Sequence, residues 1–166
     1  GVSGIMINAA FDEAEGDISA QEKLLNEKQY EGAAPRDDIY TFRFAHEYMK
    51  RMHPRVTMIA LNETDEHAHN GSYDGYLKAL HASDKWISEL WDWIQQDSVY
   101  KDKTTLLITT DHGRGTGRNN WQNHRMLSPG SRHIWFAVIG PDTPAFGEMK
   151  VSQKYTQSQV AKTIAA

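Results

Sequence analysis

The apolar run Leu106-Leu107-Ile108-Thr109-Thr110 ends in Asp111-His112-Gly113. A β-branched apolar run reads as a buried strand. A carboxylate and an imidazole side by side at its carboxyl end, before a glycine that lets the backbone turn sharply, are a poor way to build a core. They are a good way to offer a metal ion one oxygen and one nitrogen ligand. The arrangement recurs upstream, where Val56–Leu61 leads into Asn62-Glu63-Thr64-Asp65-Glu66-His67-Ala68-His69. Two strands that each deliver a carboxylate and a histidine to one sheet edge predict a two-metal site.

Each motif alone also has an ordinary explanation. Asp65 and His69 are four apart and share a face if a helical turn spans them; Asp65 as an N-cap and His69 as a solvated loop residue explain the spacing equally well. The recurrence of the pattern after two apolar strands is what favours metal. A further histidine is wanted, and two are available. His133 abuts a strand, where an edge residue packed beside Trp135 explains it. His124 lies in the polar loop Asn119–Arg125, which can fold back over a site at the sheet edge, and is preferred. His46, His53 and His81 read as surface or packed residues, and His67, out of phase with Asp65, as an outer group. Arg114, Arg118 and Arg125 flank the site with guanidinium forks suited to phosphate or sulfate oxygens, although solvated loop arginines explain each one as well. Trp121, beside His124, is a candidate lining for a substrate pocket; Trp86, Trp91 and Trp93 read as core.

The elements that must position these groups follow from hydrophobic periodicity. Asp37 and Asp38 are N-cap candidates for a helix over Ile39–Met52, stopped by Pro54. A strand over Val56–Leu61 follows. Tyr76, Leu80, Ser83, Ile87, Leu90 and Ile94 form the apolar stripe of a helix over Tyr73–Gln96. Thr104–Thr110 and Ile134–Ile139 are further buried strands, separated by a Gly- and Asn-rich loop and closed by Gly140-Pro141. Thr156–Gln159 has capping-box spacing and opens a helix to Ala166. Residues 1–36 read as loop plus one short helix and are weakly defined. This order predicts one α/β domain over 1–166, with a mainly parallel sheet flanked by helices. Such sheets bind ligands beyond the carboxyl ends of their strands, where both acid/histidine motifs fall.

At 166 residues with a formal net charge of −4 and a pI near 6.1, the chain does not suit a nucleic-acid groove or an anionic membrane surface. No run approaches the roughly 18 apolar residues of a membrane span. No basic-then-apolar leader opens it, and the start at Gly1 without methionine fits a processed or trimmed chain. With no cysteine, any metal must be held by oxygen and imidazole, which favours Zn²⁺ and then Mn²⁺. Nothing in the sequence sets a compartment or an oligomeric state.

Taken in order, these segments resemble the alkaline phosphatase superfamily, which includes nucleotide pyrophosphatase/phosphodiesterases, sulfatases, phosphonoacetate hydrolases and cofactor-independent phosphoglycerate mutases. An apolar strand followed by Asp-x-x-x-His is matched by Asp65 and His69. A strand followed by Thr-Asp-His-Gly is matched by Thr110–Gly113, and a later histidine ahead of a strand ending in Gly-Pro by His124 and Ile134–Pro141. Tyr155–Ala166 looks like the family's closing helix, with Gln159 and Lys162 where that family has Asp and Pro. The likeness runs from Ile39 to Ala166, within a family-like region over 37–166. It implies an alkaline phosphatase-like fold in which Asp65, His69 and His124 hold one ion and Asp111 and His112 a second. It also implies hydrolysis of a small-molecule phosphate or sulfate ester through a covalent Ser or Thr intermediate. The chain also departs from the family at its start. Neither the early aspartate of the second ion nor the nucleophile is evident in Gly1–Arg36, where Ser3, Asp12, Asp17 and Ser19 follow no convincing apolar strand. The expectation is therefore the C-terminal portion of a longer enzyme, an incomplete fragment of the full fold, inactive or nearly so alone, with its nucleophile outside this chain. A phosphomutase with the same centre and a non-catalytic metal-binding domain are the alternatives.

Overall fold

A computed structural model describes residues 13–32, 35–149 and 155–165, and the backbone of 4–7. Ser3, Asp12 and Ala166 of the sequence reading lie outside the described residues. The chain divides into two compact units, Gly1–Lys101 and Asp102–Ala166.

In the first unit, strand β1 (Gly4–Ile7) pairs in parallel with β2 (Val56–Ile59), Gly4 opposite Val56 through Ile7 opposite Ile59. Parallel neighbours need a crossover connection, and helices α1 (Ala20–Lys28) and α2 (Asp38–Met52) lie between them in the chain. Two helices follow, the short α3 (Glu63–His69) and the long α4 (Tyr73–Ile94). The strand in residues 1–36 corrects the reading of that segment as loop plus one helix: four residues are too few to show a period.

α1 is fixed by a capping box. Ser19 Oγ accepts from the Glu22 N–H at 3.1 Å, and Glu22 Oε2 accepts from the Ser19 N–H at 2.8 Å. α2 ends where His53 takes a left-handed conformation at φ 44°, immediately before the Pro54 that bars continuation. Between α2 and α4 sits the core of this unit: Phe42, Ala45 and Met49 against Trp86, Leu90 and Ile94, with Tyr100 closing it. Trp86 stacks on Phe42 with ring centroids 5.7 Å apart, and Trp93 meets both His46 and Tyr100 edge-on. Trp86 and Trp93 are thus packing residues, as their helical spacing predicts. The buried line of α4 begins at Ala79 and Trp86, however, whereas Leu80 is 45% exposed. The large Trp86–Phe42 contact decides which way the helix is turned.

Glu22 is fully buried, and the Arg51 guanidinium grips it through Nε at 3.0 Å and Nη2 at 2.9 Å. Burial alone would push the Glu22 carboxyl up, but Arg51 and the Ser19 N–H outweigh it and hold it below the usual glutamate range. A carboxylate depressed in the fold contributes stability above its unfolded pKa and loses it as pH falls through the acid range. Arg51→Ala leaves that charge buried and unpaired, at an expected cost of about 3 kcal/mol at pH 7. Urea unfolding should show the gap to the unaltered chain shrinking at pH 4, once Glu22 can take a proton. An equal gap at both pH values would refute the assignment.

In the second unit, β3 (Leu106–Thr109) pairs antiparallel with β4 (Phe136–Ile139), Leu106 opposite Ile139. This corrects the expectation of a mainly parallel sheet. Among the described residues there are two two-stranded ladders, one parallel and one antiparallel. The segment joining β3 to β4 forms turns and no helix, so it reverses the chain and returns it beside itself rather than crossing over. Nor is the last strand buried as its apolar run suggests, because Val138 and Ile139 are each 41% exposed. The capping box at Thr156 forms as its spacing predicts, opening a 3₁₀ turn (Gln157–Gln159) that continues into α5 (Val160–Ala165). No helix among the described residues is long and apolar enough to cross a membrane.

Candidate metal centre

β2 feeds directly into α3, the helix that carries Asp65 and His69. Its N-terminal N–H groups need acceptors, and the Asn62 side chain at the cap position accepts from none of them, donating instead to Glu66 Oε1 at 3.3 Å. The acceptor comes from elsewhere in the chain. Asp38, 1% exposed at the start of α2, receives the Asn62 N–H on Oδ1 at 2.8 Å and Oδ2 at 3.0 Å, and the Glu63 N–H on Oδ2 at 2.8 Å. Sequence spacing assigns Asp37 and Asp38 to capping α2, but Asp37 makes no side-chain cap and Asp38 is committed to α3. Burial pushes the Asp38 carboxyl above its ordinary range despite these N–H bonds. Glu63 is likewise raised, by burial first and then by the carboxylates of Asp38 and Asp37.

The helical turn brings Asp65 and His69 together, Oδ2 to Nε2 at 3.2 Å, as the four-residue spacing allows. Both are partly open to solvent. The other face of α3 does something different. Glu63, Glu66, His67 and Asn70 line a cavity of about 220 Å³ with Pro35, Arg36, Asp37 and Asn62. His67 also sits over Gly75 of α4, so tightly that a Cβ there would lie 2.6 Å from its Nδ1. It therefore faces away from Asp65 and His69, which removes it as an outer group of their site.

The second unit presents its own acid/histidine pair just beyond β3. Asp111 Oδ1 accepts the His112 N–H at 2.9 Å, which folds the carboxylate back beside the ring, and Asp111 Oδ2 then lies 3.6 Å from His112 Nε2. His112 Nδ1 is 2.9 Å from the Gly113 carbonyl. A carbonyl can only accept, so Nδ1 carries the proton and a neutral ring keeps its lone pair on Nε2. That is the tautomer a metal-ligating histidine needs. The loop does fold back: His124 stacks on His112 with ring centroids 3.8 Å apart and planes within 13°. His133 stays on the surface, its backbone against Gly113.

These distances suit a shared ion. Two ligands on a tetrahedral zinc at 2.0–2.1 Å are about 3.3 Å from each other, against 3.2 Å for Asp65–His69 and 3.6 Å for Asp111–His112. The donor atoms are carboxylate oxygen and imidazole nitrogen throughout, which Zn²⁺ accepts.

The arginines behave unequally. Arg114 donates from Nε to the Trp121 carbonyl and from Nη2 to the Gln122 carbonyl, both at 2.8 Å, and so ties down the loop that ends at His124. Arg118 and Arg125 are exposed, and Trp121 is half-buried. Two residues with a part in this site were not singled out by sequence. One is Asp38. The other is Gln157, whose Nε2 donates to the carbonyls of Thr110 and Asp111 and so anchors the backbone of the motif. A pair of acids where one cap suffices was the only available signal for Asp38; nothing marked Gln157.

Residues 12–157 match the family described as type I phosphodiesterase / nucleotide pyrophosphatase. No curated protein and no solved structure matches the chain. The matched span begins well before Ile39 and takes in α1.

Proposed function

Because this chain belongs to the type I phosphodiesterase / nucleotide pyrophosphatase family, within the alkaline phosphatase superfamily, we propose that it supplies the metal ligands of a two-ion hydrolase of phosphodiester or pyrophosphate bonds. Following the resemblance, Asp65, His69 and His124 are assigned to one ion, and Asp111 and His112 to the other. Zinc is the preferred metal and manganese the next. The observation that supports this best is the pair of carboxylate–imidazole separations, 3.2 and 3.6 Å, each near the edge length of a zinc tetrahedron. When bound, the ions polarise a phosphoryl oxygen and lower the pKa of the attacking hydroxyl.

The chain's own residues do the rest. Asp65 and Asp111 supply anionic oxygens that would offset part of the cations' charge. The Gly113 carbonyl holds the His112 proton on Nδ1 and leaves Nε2 available. Arg118 and Arg125, both exposed, are assigned to phosphate oxygens and Trp121 to an apolar or aromatic group of the substrate, while Arg114 holds their loop. The nucleophile, a Ser or Thr, is assigned to a segment outside this chain.

Titrating the chelator-stripped chain with zinc tests this. Two equivalents should bind, while bis(p-nitrophenyl) phosphate should be cleaved no faster than by zinc in buffer. A chain that takes up no zinc, or one that turns over the ester unaided, would each refute the corresponding half of the proposal.

A further inference from the structure

Asp38 is the most deeply buried acid near the candidate ligands and touches none of them. It belongs to α2, yet its two oxygens meet the first two N–H groups of α3, at 2.8–3.0 Å. α3 is seven residues long and has no side-chain cap of its own. A helix that short is not stable by itself in water, so its position depends on its packing against α4 and on what holds its ends. At its other end, Asn70, Gly71 and Ser72 return N–H groups to the carbonyls of Glu66, Ala68 and His67, so the tertiary anchor at the start is the Asp38 carboxylate. Asp65 is the third residue of α3 and His69 the seventh. Their 3.2 Å pairing exists only while this turn of helix is wound.

We propose that Asp38 is a positioning residue that holds α3 wound and aimed from beneath, so that Asp65 and His69 reach an ion as a preformed pair. This deepens the metal reading given above and rests on it. A formal charge is important here. Both Asp38 oxygens accept, one of them two N–H groups, and an amide in place of the carboxylate would turn an NH₂ donor toward an N–H donor. Alanine would leave the Asn62 and Glu63 N–H groups buried with no partner.

The test compares zinc affinity, by chelator competition on the 166-residue chain, for the unaltered protein, Asp38→Asn, and Ala45→Gly as a control. Ala45 is fully buried on the same helix, so glycine there weakens α2 without touching the Asp38 contacts. Groups that orient metal ligands are typically worth 10–100-fold in affinity. The expected result is a loss of at least about 10-fold in Asp38→Asn and no loss in Ala45→Gly at equal melting temperature. Amide exchange in the unaltered chain needs no substitution: the Asn62 and Glu63 N–H groups should exchange slowly, and exchange at the rate of open chain overturns the proposal. Zinc uptake that needs Asp65 and His69 but ignores Asp38→Asn overturns this inference alone. Uptake indifferent to Asp65→Ala and His69→Ala overturns the metal reading and this inference with it.

Discussion

Asp65→Ala combined with His69→Ala should remove one of two bound zinc ions and leave the other. Asp65 and His69 supply two of the three ligands assigned to the first ion, and a lone His124 cannot retain zinc in competition with water. Affinity at that ion should fall by more than about 100-fold, since groups one step removed from a metal already account for 10–100-fold. His112→Ala should do the reverse. It takes away an imidazole whose Nδ1 is already engaged with the Gly113 carbonyl at 2.9 Å, and the ion lost should be the second. Metal analysis after dialysis distinguishes the cases: one equivalent retained in each variant, and none when all three changes are combined. Two equivalents in every variant would mean that the acid/histidine pairs are ion pairs only. The change should cost little stability, because His69 and Asp111 are exposed and exposed ion pairs are worth at most about 1 kcal/mol.

Gly113→Ala is expected to have the largest structural effect of any single methyl added to the second unit. A Cβ there would fall on two backbone carbonyl oxygens, those of Gly130 and His133. Neither can yield easily. The Gly113 N–H is bonded to the Ser131 carbonyl at 2.8 Å, and the His133 N–H to the Gly130 carbonyl at 2.9 Å, so the two segments are laced together at this point. The alanine must push apart backbone that its neighbours hold closed, at about 3 kcal/mol or more. Since Gly113 also holds His112 by its carbonyl, zinc at the second ion should be lost along with stability. Gly117 makes the comparison informative. Its φ is +80° and nothing lies within 4 Å of where its Cβ would be, so Gly117→Ala should carry only the left-handed backbone penalty of about 1–2 kcal/mol. Equal urea midpoints for the two variants would show that the contact at Gly113 is not what the packing implies.

Much of the site was readable before folding because its information is local. Asp65 and His69 become an acid–histidine pair on any turn of helix, and the Asp111-His112-Gly113 pairing needs only a strand before it and a bend after. The capping box at Thr156, the stop at Pro54 and the long helix over Tyr73–Ile94 are likewise set by neighbours a few residues apart. The resemblance built on these segments pointed to the superfamily in which the chain is now placed.

What only the tertiary structure decided involves partners far apart in the chain. Strand β1 is legible through its pairing with β2, some fifty residues on, and β3 with β4 proved antiparallel because the segment between them turns back instead of crossing. Asp38 looked like a cap for the helix it begins; burial and two N–H groups more than twenty residues away make it the anchor of α3 instead. The proton on His112 is placed by a carbonyl, and His124 is brought to it by a loop that Arg114 ties. Residue types and short spacings carry chemical capacity, because a side chain's functional groups travel with it. Orientation is different: it is set by hydrogen bonds and contacts whose other halves lie elsewhere in the chain, and folding alone brings those together.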